Sequence, residues 1–202
     1  HQVLAAEKGY FNSDTPLVLA ETASVFAELL VFKAQLELIE KPQEKQAFIC
    51  QKIESVFATV FRQVAMNRFE KLMHEGRRSI GELGSEQLGE FWMQTQQEMF
   101  GDSVLLRDDY RYWWSYIPHF LSTPGYVYSY AFGELLVLSL YNIYLDQGES
   151  FVDNYLNLLG AGGSDTPYNL LKPFDIDLND RSFWKQGLSV IDRMLDEVEA
   201  LT

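Results

Sequence analysis

The chain has 202 residues, enough for one sizeable core, and its 47% apolar and 14% aromatic content is that of a packed globular protein. A formal charge of −13 leaves no basic stripe for nucleic acid or for an anionic membrane surface, and no apolar run reaches the length of a membrane-spanning helix. The one cysteine, Cys50, excludes an internal disulfide, and no signal-peptide pattern opens the chain, so a reducing, cytoplasmic setting is expected.

Helical periodicity dominates and strand-like alternation is nearly absent, which predicts an all-α class with residues 1–202 as a single helical domain. "HQVLAAEK" reads as the end of a helix stopped by Gly9; the absence of an initiator Met suggests a fragment whose first part is missing. After the loop "YFNSDTP", Thr15 caps a helix with Pro16 as its first residue, predicted to run to about Glu40 and stop before Pro42. A second helix is predicted over about 43–75, ended by Gly76, and a third from a Ser85 cap through Phe100. Residues 101–123 are aromatic and irregular. Pro124 opens a further helix to about Gln147; shorter ones follow near 149–159 and 167–172, and the last spans about 180–200 behind Asn179 or Asp180. The segment "LLGAGGSDTP" fits no phosphate loop, because no Lys-Ser/Thr follows its glycines, and reads as a flexible connector with a peptide groove as the lesser reading.

Two segments carry candidate chemistry. In "LAETASVFAELL", Glu21 and Glu28 lie two helical turns apart on one face, with Ser24 between them. A carboxylate on an apolar face is costly unless it is paired or bound to a metal, so both are predicted to point inward. A pair of acids at a solvent edge is the plainer alternative. In "IPHFLSTPGYVYSYAFGE", His119 precedes a helix on which Tyr126 and Tyr130 share a face, while Tyr128 points elsewhere. His and Tyr donors can stabilise a developing oxyanion; equally, such aromatics can simply pack a core. His74 reads as a surface residue at a helix end, and neither Cys50 nor any serine has a triad around it.

Together these segments resemble the oligoendopeptidase F branch of the thimet oligopeptidase family of zinc metallopeptidases. The family's zinc helix reads His-Glu-x-x-His, two residues, then His-Gln, and His1-Gln2 matches that trailing pair. "ETASVFAE" matches the helix whose first Glu is the third zinc ligand, and "PHFLSTPGYVYSYAFGE" matches the family's His and Tyr-rich segment. The tail "LLGAGGSDTPYNLLKPFDIDLND" is also similar. The resemblance implies that Glu21 is a zinc ligand, that Glu28 and His1 support it, and that His119, Tyr126 and Tyr130 stabilise the transition state. It also implies a zincin-like helical catalytic domain of which this chain is the C-terminal part, acting on oligopeptides with Zn²⁺ as cofactor. The His-Glu-x-x-His itself is absent, so two His ligands and the general-base Glu would lie upstream, in the missing N-terminal part of the same enzyme. The expected parent is a zinc metalloendopeptidase, and the chain alone is expected to be inactive. A non-catalytic helical interaction module and one subunit of a split peptidase stay open as alternatives.

Overall fold

A computed structural model describes residues 1–201. Among them the elements are α1 (Thr22–Leu38), α2 (Pro42–Thr59), α3 (Phe61–Ser79), α4 (Ser85–Phe100), α5 (His119–Ser122), α6 (Tyr128–Gln147), α7 (Glu149–Gly160), α8 (Pro167–Leu170) and α9 (Arg181–Ala200). Short 3₁₀ segments lie at Leu4–Lys8, Tyr10–Asn12, Leu17–Leu19, Asp108–Tyr116 and Lys172–Phe174, and no strand occurs among the described residues. The class is all-α. The chain divides into two compact units, one of His1–Val56 with 132–202 and one of Phe57–Ala131, with the boundaries inside α2 and α6.

In the first unit, α1 buries Phe26, Leu29, Phe32 and Leu36, a stripe at helical spacing. The Phe26 ring stacks on Phe151 of α7 at 5.7 Å and lies 4.6 Å from Tyr155, while Phe32 stacks on Phe48 of α2 at 5.0 Å. Each such fully buried aromatic contributes about 1.5–3 kcal/mol from burial alone. Within α6, Leu136, Val137, Leu138 and Leu140 are all fully buried, and no described helix is long and apolar enough to cross a membrane. Asp180 caps α9 by accepting the Ser182 N–H at 2.8 Å.

The second unit is an α3–α4 pair closed by the aromatic segment 108–116. Phe69 of α3 is its centre, edge-on to Trp92 of α4 at 5.4 Å, stacked on Trp114 at 6.3 Å and 5.0 Å from Phe120 of α5. Met66, Ile117 and Val127 complete this core. Tyr110 ties the 3₁₀ segment to α4 by donating from its hydroxyl to Gln96 Oε1 at 3.1 Å.

Several predicted boundaries move. Pro16 has extended backbone (ψ 138°), so the helix expected from it begins only at Thr22, after a 3₁₀ turn that buries Leu19. The helix predicted over 43–75 is two helices broken at Val60 (φ −100°, ψ −70°), where β-branched Val56, Thr59 and Val60 crowd the turns. Gly76 does not stop α3 but lies buried inside it, against the Phe91 ring, which a Cβ there would approach to 3.1 Å. The helix expected from Pro124 starts at Tyr128, since Gly125 takes φ +77° and breaks the turn. The glycine loop is not a loose connector: the Gly163 N–H donates to Asn12 O at 2.9 Å, and a Cβ on Gly162 would fall 2.0 Å from the same oxygen. Only glycines allow that backbone-on-backbone approach.

Candidate active site

Glu21 stands at the entry to α1, with φ −91° and ψ 3°, one residue outside the regular helix. Its backbone neighbourhood is firmly held. Thr22 is fully buried, and its carbonyl accepts a hydrogen bond from the Tyr155 hydroxyl at 3.1 Å, while the Glu21 Cβ passes 3.9 Å from where a Cβ on Gly133 would be. Burial pushes the Tyr155 phenol well above its ordinary pKa, so it stays a donor across the physiological range. The Glu21 side chain does not cap the helix. Its Oε2 instead accepts from the Ser24 hydroxyl at 2.7 Å, one turn on.

Glu28 is on the same face as Glu21, as its spacing requires, but both carboxylates are exposed, not inward. The buried stripe of α1 lies on Phe26, Leu29, Phe32 and Leu36, and the two acids flank it. Glu28 pairs with Lys52 Nζ of α2 at 2.8 Å. The same ammonium, only 7% exposed, lies 3.8 Å from Glu134 of α6, which is 5% exposed. Burial pushes the Glu134 carboxyl above its ordinary value; Lys52 pulls it down and Glu28 pushes it up. The sequence pattern pointed to no partner for Glu28, because Lys52 comes from another helix.

His1 is half-buried, and its Nδ1–H donates to Leu159 O at 3.2 Å, which fixes the ring against the end of α7. Among the described residues no group of three or more His, Cys, Asp or Glu side chains gathers closely enough to hold a metal ion. The single exposed carboxylate of Glu21, oriented by Ser24, has the donor chemistry of one ligand in such a site.

In the second unit the structure brings His119, Tyr126 and Tyr130 together. The Tyr126 ring stacks on the His119 imidazole at 5.5 Å (28° between planes), the Tyr130 ring stands edge-on to it at 5.9 Å, and the two tyrosines are 5.3 Å apart. The Tyr130 hydroxyl shares a hydrogen bond with His119 Nε2 at 3.2 Å. Tyr128 is 42% exposed and has no place in this group. The reason is visible in the core: His119 precedes Phe120, Tyr126 precedes Val127 and Tyr130 precedes Ala131, and all three followers are buried. Packing pins each neighbour while all three rings stay only half-buried. His and two phenols side by side can donate to a substrate oxygen or pass a proton between them.

One residue of this neighbourhood escaped the sequence reading. Glu70 of α3 is 3% exposed, and its Oε1 accepts the Gly125 N–H at 2.6 Å, at the turn leading to Tyr126. His74, read as a surface side chain, is half-buried and holds Nε2 3.7 Å from that same oxygen. The only signal was a Glu four residues before a His on an otherwise amphipathic helix.

Comparison with known proteins identifies the family of the chain. The family model for peptidase family M3 matches residues 1–190. The chain is 30% identical over 185 residues to the oligopeptidase PepF of Bacillus subtilis, covering 92% of this chain and 28% of that protein. It is 26% identical to the chromosomal oligoendopeptidase F of Lactococcus lactis subsp. cremoris, covering 95% of this chain and 32% of the relative. The crystal structure of oligoendopeptidase-F from Enterococcus faecium superposes with a TM-score of 0.83 at 28% identity, over 98% of this chain and 38% of that one. The chain thus spans about a third of the length of the relatives it matches. By the family model, the related sequences and the shared fold, the chain belongs to peptidase family M3, in its oligoendopeptidase F branch.

Proposed function

We propose that this chain forms the C-terminal portion of the catalytic domain of a zinc-dependent oligoendopeptidase that hydrolyses peptide bonds in short peptides. The observation that carries the reading is the His119–Tyr126–Tyr130 cluster, three polar rings held half-open by buried neighbours in a chain of the oligoendopeptidase F branch. Zinc, when bound, would polarise a water and the scissile carbonyl. Glu21 is the ligand this chain offers to it, with Ser24 bonded to one carboxylate oxygen and setting the direction of the other. Glu28 and His1 belong to the supporting structure, Glu28 through Lys52 and His1 through Leu159. Tyr130 and His119 would donate to the oxygen that becomes negative as the carbonyl turns tetrahedral, and Tyr126 would hold the imidazole plane by stacking.

On this reading the imidazole ligands and the general-base Glu come from outside residues 1–202, and these residues alone bind no stoichiometric zinc and cleave no peptide. The test compares the 202-residue chain with a longer one that includes a His-Glu-x-x-His helix. Zinc content after dialysis and turnover of a quenched peptide are measured for both. Zinc and chelator-sensitive cleavage only in the longer chain support the proposal. Stoichiometric zinc and cleavage by the short chain, or neither property in the longer one, overturn it.

A further inference from the structure

The stretch between His119 and Tyr130 turns back on itself, and its sharpest point is Gly125, at φ +77°. The residues around that point, Ser122, Thr123 and Pro124, are exposed, so packing does not hold them. Local backbone bonds such as Thr123 N–H to His119 O at 3.1 Å shape its start, and a polar contact from the core ties its apex: Glu70 Oε1 accepts the Gly125 N–H at 2.6 Å. Glu70 follows Phe69, the fully buried centre of the second unit, so its carboxylate starts from a fixed backbone. A charge nearly removed from water is costly to keep, and its second oxygen, Oε2, is buried with no hydrogen-bond partner among the described residues.

We infer that Glu70 is the positioning residue for the His–Tyr cluster: by anchoring the Gly125 N–H it sets where Tyr126 stacks on His119 and where His119 meets Tyr130. The catalytic half of this inference rests on the role proposed above for those three rings; the anchoring half does not. A carboxylate suits the task because a charge-assisted bond to a backbone donor is short and strongly directional. A Cβ added at Gly125 would meet nothing within 4 Å, so no packing on that side of the turn shares the anchoring. A displacement of the turn passes to Tyr126, one residue on, while Val127 stays fixed in the core.

The test uses Glu70→Met, which fills the space without an acceptor, and Glu70→Gln, which keeps one. In the 202-residue chain, amide exchange at Gly125 and the His119 ring resonances are followed by NMR. Glu70→Met is expected to speed Gly125 exchange about tenfold, the cost of one hydrogen bond, and to shift the His119 resonances; Glu70→Gln stays near the native protein. In the longer enzyme, Glu70→Met is expected to lower kcat by about 10–100-fold with KM nearly unchanged, and Glu70→Gln to restore most of it. If Glu70→Met does not fold, Glu70→Asp replaces it, keeping the charge but drawing the carboxylate back from Gly125, with the same two outcomes expected. Native exchange at Gly125 in Glu70→Met or Glu70→Asp overturns the anchoring. Faster exchange with native kcat overturns the role in positioning. A longer wild-type enzyme that cleaves nothing counts against the peptidase reading instead, and the amide measurement then decides the anchoring alone.

Discussion

The Tyr130 hydroxyl and His119 Nε2 meet at 3.2 Å although eleven positions and a left-handed glycine turn separate them in the chain. Such a contact between half-buried polar groups has no value for the core, which Phe120, Val127 and Ala131 already fill from adjacent positions. It places a proton donor at the surface of a rigid element.

Removing that donor tests its use. In the longer enzyme, Tyr130→Phe is expected to lower kcat by about 100-fold, the range for one oxyanion donor, with little rise in KM. Tyr128→Phe, at an exposed ring outside the cluster, is expected to change kcat little. Steady-state kinetics on a quenched peptide compare the two, and equal losses would show that the wrong tyrosine face was chosen.

Glu21→Ala in the longer enzyme is expected to abolish stoichiometric zinc, and Ser24→Ala to weaken it about tenfold by releasing the carboxylate it holds at 2.7 Å. Metal content against increasing chelator reports both. Zinc retention in Glu21→Ala would assign the ligand elsewhere.

The Lys52 ammonium makes a different, purely thermodynamic prediction. Lys52→Met leaves the Glu134 carboxylate buried and uncompensated, whereas Glu134→Gln leaves Lys52 still paired with Glu28 at 2.8 Å. Breaking a buried pair from the side that strands a charge costs about 3–5 kcal/mol. Urea unfolding is therefore expected to show a clearly larger loss for Lys52→Met than for Glu134→Gln.

The same carboxyl gives a pH dependence. Its folded pKa lies above the unfolded one because burial disfavours the charged form. The folded state therefore binds its proton more tightly, and this contribution to stability is complete below the ordinary glutamate range and is lost as pH rises through the raised value. Glu134→Gln is expected to flatten that decline in unfolding free energy just above the ordinary range. An unchanged slope would mean that Glu134 titrates normally.

Much of this was readable in the sequence, for physical reasons that differ by element. The long helices announce themselves through apolar periodicity, and α4 and α9 begin and end close to where their turn and cap residues place them. Tyr126 and Tyr130 share a face at a spacing of four, even though Tyr126 lies before the regular helix. What the sequence hid depends on distant partners. The docking of Gly162 on Asn12, the Lys52 pair and the Glu70–Gly125 bond each join residues from different elements, and no local pattern encodes them. The inward placement expected of Glu21 and Glu28 failed for a related reason. A shared face is a local property, but which face is buried depends on what packs against it, and here Phe26 and Phe32 take that side.

Because Phe120 and Val127 are both locked in the same core, the chain between them is held at fixed length as well as fixed shape. A single-residue insertion or deletion there would have to unseat one buried ring or branch, or slide Gly125 past the carboxylate that grips it. Around 101–105, where every residue is exposed, an extra residue can bulge into solvent unnoticed. Length variation in this unit is thus permitted in one connection and forbidden in the other. A scan of one-residue insertions would draw the outline of the His–Tyr cluster without altering a single one of its side chains.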